Sequence, residues 1–374
     1  MRQIYLDYNA STPIAPEVLD SMYPYLQGSY GNPSSSHWAS ATVKEALQTA
    51  RASIAALLKC DPDEIVFTSG GSESNNYALK GVYFALKEKG NHIITTTVEH
   101  PAILNPCSFL ERLGAKVTYV EVDETGSVSP EAIEAAITEQ TILITVMHAN
   151  NEVGTIQPLN EIAQIAKKHD IVFHSDAAQS VGKIPVHVDE LGVDLLSIAG
   201  HKLYAPKGIG ALYIRRGTPL ESFIHGAGHE RGMRAGTENV PYIVALGKAA
   251  ELAVQALGGQ SLHNLGRYFL DQLYARFGGL VKLNGSQDNR LPNTVNVSFV
   301  GLDGNDILSK IPQLAASTGS ACHAGLTTIS PVLKAMNVDE QTARGTIRFS
   351  VGRYTEQEEL DEALQLLEKI ILEN

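Results

Sequence analysis

Between residues 65 and 214, short β-branched and apolar runs alternate with longer segments of helical periodicity. The runs predict strands at residues 65–68, 92–97, 116–120, 141–147, 171–174, 195–199 and 208–214. Helices are predicted between them at residues 72–89 and 101–113, and a further helix is predicted to open at Ser129 and Pro130. Strands that alternate with helices are typical of βαβ units whose sheet is covered on both faces.

The pattern changes near residue 250. Amphipathic helices are predicted at residues 244–256, 262–277 and 356–372, and residues 293–300 alternate polar and apolar like a half-exposed strand. The change predicts a large domain of residues 15–250. Residues 1–14 and 251–374 are expected to form a smaller α+β domain.

Composition narrows the class of protein. Of the 374 residues, 44% are apolar and 19% charged, as in globular proteins rather than disordered ones. A net charge of −12 disfavours binding to nucleic acid or an anionic membrane. No apolar run approaches the about 20 residues of a membrane span, and the start carries no signal-peptide core. Three cysteines make no disulfide framework, which favours a cytoplasmic location. A zinc site is not expected, because the sequence contains neither a CxxC nor an HExxH motif.

Three segments carry candidate chemistry, and each follows a predicted strand, where open α/β sheets bind ligands. The first is residues 68–75, with the sequence TSGGSESN. Two glycines and a serine at a helix start suit an anion, although a plain helix cap has the same residues. The spacing matches neither the phosphate loop GxxxxGK[ST] nor the dinucleotide motif GxGxxG.

The other two segments supply a carboxylate and an amine. Asp176 follows an apolar strand, where a buried carboxylate needs either a cationic ligand nitrogen or backbone N–H groups. Lys202 follows His201 after the next strand. A desolvated lysine there can form a Schiff base, whereas a surface turn would leave it solvated. Together, an anion cradle, a carboxylate and an amine match the phosphate, pyridinium nitrogen and aldehyde of pyridoxal 5′-phosphate.

With these segments in place, the sequence resembles the cysteine desulfurases, within the class V aminotransferase group of fold-type I pyridoxal-phosphate enzymes. The motifs that carry the resemblance are residues 5–10 (YLDYNA), 31–35 (GNPSS), 68–75, 98–100 (VEH), 150–154 (NNEVG), 175–179 (SDAAQ), 200–202 (GHK), 234–239 (RAGTEN), 319–322 (GSAC) and 348–350 (RFS). The resemblance implies an α/β fold, with a mostly parallel seven-stranded sheet in the large domain and a smaller α+β domain.

The resemblance also implies how the cofactor ring is held. Lys202 would bind the aldehyde, Asp176 would pair with the pyridinium nitrogen, and Gln179 would bond the phenolic oxygen. His100 would stack on the ring and act in proton transfer. Asn151 would lie beside both cofactor and substrate. Taken alone, His100 before a proline could simply close a turn.

The phosphate and the substrate have their own implied residues. The phosphate would be bound by Gly71, Ser72 and His201, with Thr237 reaching in from the second subunit of a homodimer. Members often carry a hydroxyl residue two positions before this histidine, where the chain has Ala199. Arg348 would hold the substrate carboxylate, and a domain-interface ion pair is the alternative.

Cys322 is implied to be the nucleophile. The resemblance predicts that its thiolate takes sulfur from L-cysteine, releases L-alanine and passes the persulfide sulfur to an acceptor protein such as an iron–sulfur scaffold. Its glycine-containing flanks are interpreted as an exposed, mobile loop, where a reactive thiol belongs. Cys60 and Cys107 lie in or beside predicted helices and are interpreted as structural.

Other functions stay open at this point. His323 after Cys322 and the run SPVL at residues 330–333 also resemble selenocysteine lyases, which share the fold and cofactor. A C–S lyase without a thiol relay, and a true aminotransferase, would need no essential cysteine. A non-enzymatic cofactor-binding or sulfur-carrying scaffold would have no need for all five of these residues: Lys202, Asp176, His100, Cys322 and Arg348.

Overall fold

The computed structural model describes the backbone of residues 2–257, 259–323 and 326–372, and their side chains except at 320–323 and 326–328. Its helices are α1 Pro16–Gln27, α2 Ala41–Leu58, α3 Gly71–Leu86, α4 Pro101–Glu111, α5 Pro130–Ala135, α6 Leu159–Lys168, α7 Val188–Leu191, α8 Val240–Leu257, α9 Ser261–Phe277, α10 Gly304–Ser309, α11 Pro331–Ala335, α12 Glu340–Arg344 and α13 Gln357–Leu372. Its strands are β1 Ile4–Tyr5, β2 Ile65–Thr68, β3 His92–Thr96, β4 Lys116–Val120, β5 Thr141–Thr145, β6 Val172–Asp176, β7 Leu195–Ala199, β8 Gly210–Ile214, β9 Val281–Leu283, β10 Thr294–Phe299, β11 Leu314–Ala315, β12 Ser317–Thr318, β13 Ser320–His323, β14 Leu326–Ile329 and β15 Thr346–Ser350.

All seven strands predicted between residues 65 and 214 form, and they join one sheet in the order β2-β8-β7-β6-β5-β3-β4. Strand β8 is antiparallel to both neighbours, and the remaining pairs are parallel. The mostly parallel seven-stranded sheet is therefore confirmed. Because β2 also runs parallel to β7, the carboxyl ends of β2, β3, β5, β6 and β7 meet at one edge.

Helices cover this sheet on both faces. On α2, Val43, Leu47, Ala50, Ile54 and Leu58 are buried at three- and four-residue intervals, so one stripe of the helix faces the core. Helix α8 packs against α1 and α2 in the same core. On the opposite face, α3 and α4 bury a separate apolar cluster.

Helix α8 is more apolar than the sequence analysis anticipated. By length and composition it could cross a membrane. The fold gives its apolar residues another place, because Ile243, Leu246 and Ala250 are buried in the core that it shares with α1 and α2. The helix runs continuously through residue 250. The division of the chain into domains near that residue stays a prediction.

A second sheet, in the order β12-β15-β10-β9, is antiparallel and has its own apolar core with α9 and α13. The half-exposed strand predicted at residues 293–300 is wrong in its exposure, because all six residues of β10 are buried. Its polar face packs against protein rather than water. The Asn296 side chain donates to the Glu152 carbonyl at 3.1 Å, and the Ser298 hydroxyl lies 2.7 Å from that of Thr346.

The segment around Cys322 also differs from the prediction of a loop. Strands β13 and β14 pair as an antiparallel hairpin, in which Cys322 lies opposite Thr327. The β-branched residues Thr327, Thr328 and Ile329 favour this extended backbone. The Cys322 side chain, and the predicted mobility of this segment, lie outside the described part of the chain.

Candidate active site

A cavity of about 420 Å³ lies where the strand ends meet, and the N-terminal segment and β15 close it. It brings together nine residues that the sequence analysis selected: Gly71, Ser72, His100, Asn151, Asp176, Gln179, His201, Lys202 and Arg348. They come from segments far apart in the chain. Asn9, Ala10, Asn75 and Met147 also line the cavity and were not assigned a role from sequence.

The anion cradle is the first turn of α3. Gly70 occupies the N-cap position and supplies no side-chain cap, so the first N–H groups of this 16-residue helix point to a ligand position. Gly71 lies close to the Ala199 side chain, since a Cβ on Gly71 would meet the Ala199 Cβ at 3.3 Å. At the cavity wall, burial and, less strongly, the charges of Lys202 and Lys207 lower the pKa of His201 to about 4.

Asp176 ends β6 and is buried. One carboxylate oxygen accepts from the Ala178 backbone N–H at 2.9 Å, and the other accepts from the Asn75 side chain at 2.6 Å. The backbone-bonded carboxylate that the sequence left as an alternative is therefore present, and Asp176 also lines the cavity. The Asn75 side-chain oxygen is buried without a partner among the described residues.

Lys202 follows β7 in a short 3₁₀ turn, Gly200–Lys202. Its Nζ donates to the backbone carbonyls of Asn9 and Ala10. Burial lowers the pKa of Lys202 to about 8, and the charge of Arg348 adds to the effect, while Asp176 and Asp7 oppose it. With this pKa, roughly a tenth of the lysine is the neutral, nucleophilic amine at pH 7 and about half at pH 8.

His100 is the N-cap of α4. Its Nδ1 accepts from the Ala102 N–H at 3.0 Å. The alternative of a turn-closing residue is met, and the same bond leaves the neutral ring with its proton on Nε2. Burial lowers the pKa of His100, the charge of Asp176 raises it, and Lys202 lowers it again.

Arg348 lies on β15, and its guanidinium is buried. It donates to the Asn151 carbonyl at 2.9 Å, to Asp7 Oδ1 at 2.7 Å and to Ser317 Oγ at 2.9 Å. An ion pair with Asp7 is present, but Asp7 and Arg348 both belong to the predicted small domain, so it is not the domain-interface pair that the sequence left as an alternative. The buried Nε–H has no partner in the described part of the chain, so the guanidinium retains capacity for a carboxylate.

Thr237 and the cysteines lie elsewhere. Thr237 is exposed and is absent from the cavity lining, and its loop is joined to α3 by an Arg234–Glu73 ion pair of 2.9 Å. Burial raises the pKa of both Cys60 and Cys107 to about 12, so neither is a reactive thiol. Their burial supports the interpretation of both as structural.

Sequence reasoning missed Asn9 and Lys183. Asn9 belongs to the YLDYNA motif, and Lys183 lies four residues after Gln179. Lys183 Nζ donates to Gln179 Oε1 at 2.8 Å and to Asn9 Oδ1 at 3.0 Å. The signal available for Asn9 was its place in the YLDYNA motif, which is one of the motifs that carry the family resemblance.

Comparison with known proteins identifies the family to which the chain belongs. A model of the family described as aminotransferase class-V matches residues 4–363. The chain belongs to this family. It is 50% identical to cysteine desulfurase IscS of Dictyoglomus turgidum, over 99% of this chain and 95% of the relative. It is 46% identical to cysteine desulfurase IscS of Clostridium botulinum, over 99% and 94%. Within the class V aminotransferases, the chain is a member of the cysteine desulfurases.

Solved structures agree with this membership. A NifS-like protein superposes with a TM-score of 0.92 at 38% identity and covers 99% of each chain. The structure described as SspA in complex with cysteine superposes with a TM-score of 0.84 at 41% identity, over 94% of this chain and 100% of that one. The fold-type I architecture expected from the sequence is confirmed.

Proposed function

We propose that the protein is a pyridoxal-phosphate-dependent cysteine desulfurase, which converts L-cysteine to L-alanine and passes the sulfur through a persulfide on Cys322 to an acceptor protein. An iron–sulfur scaffold is one such acceptor. The observation that carries the proposal is the convergence of an amine with a lowered pKa, a buried carboxylate and a buried guanidinium on one cavity.

Three features of the cavity fit the cofactor. The uncapped first turn of α3, with Gly71 and Ser72, suits its phosphate. Asp176 suits a protonated pyridine nitrogen, since two donors hold its carboxylate in place. Lys202 suits its aldehyde. When bound, pyridoxal phosphate supplies an electron sink for the charge that develops at the substrate α-carbon.

The chain's own residues account for the remaining chemistry. Arg348 binds the substrate carboxylate and so orients the amino acid. Lys202, with its lowered pKa, accepts a proton as an amine and returns it as an ammonium. His100 lines the cavity, and Nε2 carries the proton of its neutral ring because Nδ1 accepts from the Ala102 N–H, so Nε2–H is the donor that it offers to a ligand.

Cys322 completes the reaction. Its thiolate sulfur attacks the substrate sulfur, so an S–S bond forms as the substrate Cβ–S bond breaks. The electron pair of the broken bond remains on the carbon skeleton, which takes up a proton and leaves as alanine. The sulfur stays on Cys322 as a persulfide, and no free sulfide is released. A reducing compartment suits such a thiol.

A homodimer is part of the proposal. Thr237 is exposed in its own subunit, which is compatible with a contact to the phosphate of a second one. Helix α1 exposes Leu19, Tyr23 and Leu26 along one stripe, and Trp38 is 87% exposed. Exposed apolar stripes of this kind are typical of protein–protein interfaces.

The absorption spectrum of the purified protein, recorded before and after addition of L-cysteine with an alanine assay in the same tube, tests the proposal. We expect a band near roughly 420 nm, typical of a lysine-bound pyridoxal group, which shifts on addition as alanine forms. Absence of the band after incubation with pyridoxal phosphate would refute the cofactor and every role assigned through it.

The Cys322→Ala variant distinguishes a cysteine desulfurase from a lyase that works without a thiol relay. We expect the variant to keep the visible band and to lose alanine formation from cysteine. Cys60→Ala is the matched control and should retain turnover, because burial keeps that thiol protonated. Retained activity in Cys322→Ala would instead favour a lyase without a thiol relay. A wild-type band without alanine from cysteine would favour selenocysteine as substrate.

A further inference from the structure

Lys183 lies beside the active-site cavity and contacts two of its residues. Its half-buried side chain directs Nζ inward, to Gln179 Oε1 at 2.8 Å and to Asn9 Oδ1 at 3.0 Å. Both contacts are with side-chain amide oxygens. Lys183 is therefore bonded to the one atom of Gln179 that only accepts hydrogen bonds.

The contacts with backbone carbonyls show which way each amide faces. Gln179 Nε2 donates to the Asn9 carbonyl at 3.0 Å. A carbonyl accepts and never donates, so the amino end of Gln179 must face it, and Oε1 must face Lys183. Asn9 is oriented in the same way, because its Nδ2 donates to the Asn151 carbonyl at 3.3 Å and to Thr294 Oγ1 at 2.8 Å.

The Asn9 carbonyl also accepts from Lys202 Nζ, so the amino end of Gln179 and the Schiff-base lysine meet at one oxygen. We propose that Lys183 is a positioning residue that fixes the amide of Gln179, so that an N–H rather than a carbonyl oxygen faces the phenolic oxygen of the cofactor. This inference rests on the proposed function, because it deepens the role of Gln179 at that site.

The charge on Lys183 does not decide the orientation. Burial lowers its pKa well below the usual range, and Lys202 and Arg348 lower it further. The two bonds need two N–H groups, and a neutral amine has both, so Gln179 is held the same way in either state. The remaining charges near Lys202 are Asp7 and Asp176, and they are unchanged in the variants below.

The test compares Lys183→Met, Gln179→Ala and the double variant with the wild type. The readouts are the dissociation constant of pyridoxal phosphate and the pH midpoint of its visible band on the protein. We expect Lys183→Met to weaken cofactor binding by about tenfold, as for the loss of one hydrogen bond to a charged group. The pH midpoint should rise, because an anionic oxygen loses a donor.

In the double variant, loss of Lys183 should add nothing to Gln179→Ala, since Lys183 acts through that amide. Lys87→Met, which removes an exposed lysine that has no part in the cavity, is the control and should behave as wild type. Wild-type values in Lys183→Met, or an effect that persists in full on the Gln179→Ala background, would overturn the inference.

Gln179→Glu is a second variant that leaves Lys183 in place. Its carboxylate accepts only, so the pH midpoint should rise although Lys183 is present. An unchanged midpoint in this variant would also overturn the inference. A wild-type protein that shows no visible band refutes the proposed function instead. The two failures are therefore distinguishable.

Discussion

Among single residues, Lys202 is the one whose protonation should control capture of the proposed cofactor. Its pKa is lowered to about 8, chiefly by burial. Only the neutral amine attacks an aldehyde, so capture of pyridoxal phosphate by the cofactor-free protein should accelerate about tenfold per pH unit below pH 8 and level off above it. Stopped-flow absorbance measures this rate. Lys202→Ala should show no capture, and a rate independent of pH would contradict the assignment.

Glu99 gives a second prediction for a single residue. Burial raises its pKa to about 8; the charge of Asp176 adds to this, while hydrogen bonds from the Met147 N–H and Thr96 oppose it. The folded state thus binds more protons than the unfolded state between pH 4.5 and about 8, and stability falls as pH rises through this window.

Glu99→Gln removes that pH dependence. We expect its melting temperature, relative to that of wild type, to increase steadily from pH 5 to about 8. Thermal unfolding followed by circular dichroism at several pH values measures the difference. Glu139→Gln, at an exposed position, is the control and should show no such trend. A constant difference in Glu99→Gln would mean that Glu99 is ionised in the fold.

Among secondary-structure elements, the contact between β8 and the start of α3 positions the anion cradle. Gly210 on β8 allows this contact, because a Cβ there would lie 2.5 Å from the Ile198 carbonyl oxygen and 2.7 Å from the Gly70 Cα. Gly210→Ala must therefore displace either the sheet or the first turn of α3. Overpacking of this kind costs about 1–3 kcal/mol.

Urea unfolding and a titration with pyridoxal phosphate measure both consequences of Gly210→Ala. We expect a lower unfolding midpoint and weaker cofactor binding. Gly279→Ala is the matched control, because a Cβ at Gly279 meets no atom within 4 Å. Equal stability of the Gly210 variant and the wild type would show that the cradle does not depend on this close approach.

For the whole molecule, we expect formation of the homodimer to determine how tightly the phosphate site binds the cofactor. Replacement of Leu19 and Tyr23 by glutamate places charge on the exposed stripe of α1. We expect light scattering to report a monomer, and cofactor binding to weaken, because Thr237 of a second subunit would be lost. Leu113→Glu, at an exposed apolar position on another surface, is the control. A dimeric variant would place the interface elsewhere.

The local pattern of apolar and polar residues was enough to predict much of the large sheet. Strands β4 and β7 have the predicted bounds, Asp176 ends a strand, and Lys202 follows one. This succeeds because alternating apolar runs and helix start signals act over a few residues. Strand β10 shows the limit of such patterns. Its polar residues are buried by partners such as Thr346, which lies 48 residues from Ser298.

The sequence by itself determined the α/β class, the strand ends that carry the chemistry, and nine residues of the cavity. Tertiary structure alone decided the network around Asn9, where Gln179, Lys183 and Lys202 converge from 170 to 193 positions away. It also decided the pKa of Lys202 and of Glu99. Burial and charge proximity set these values, and both arise only when distant segments pack together.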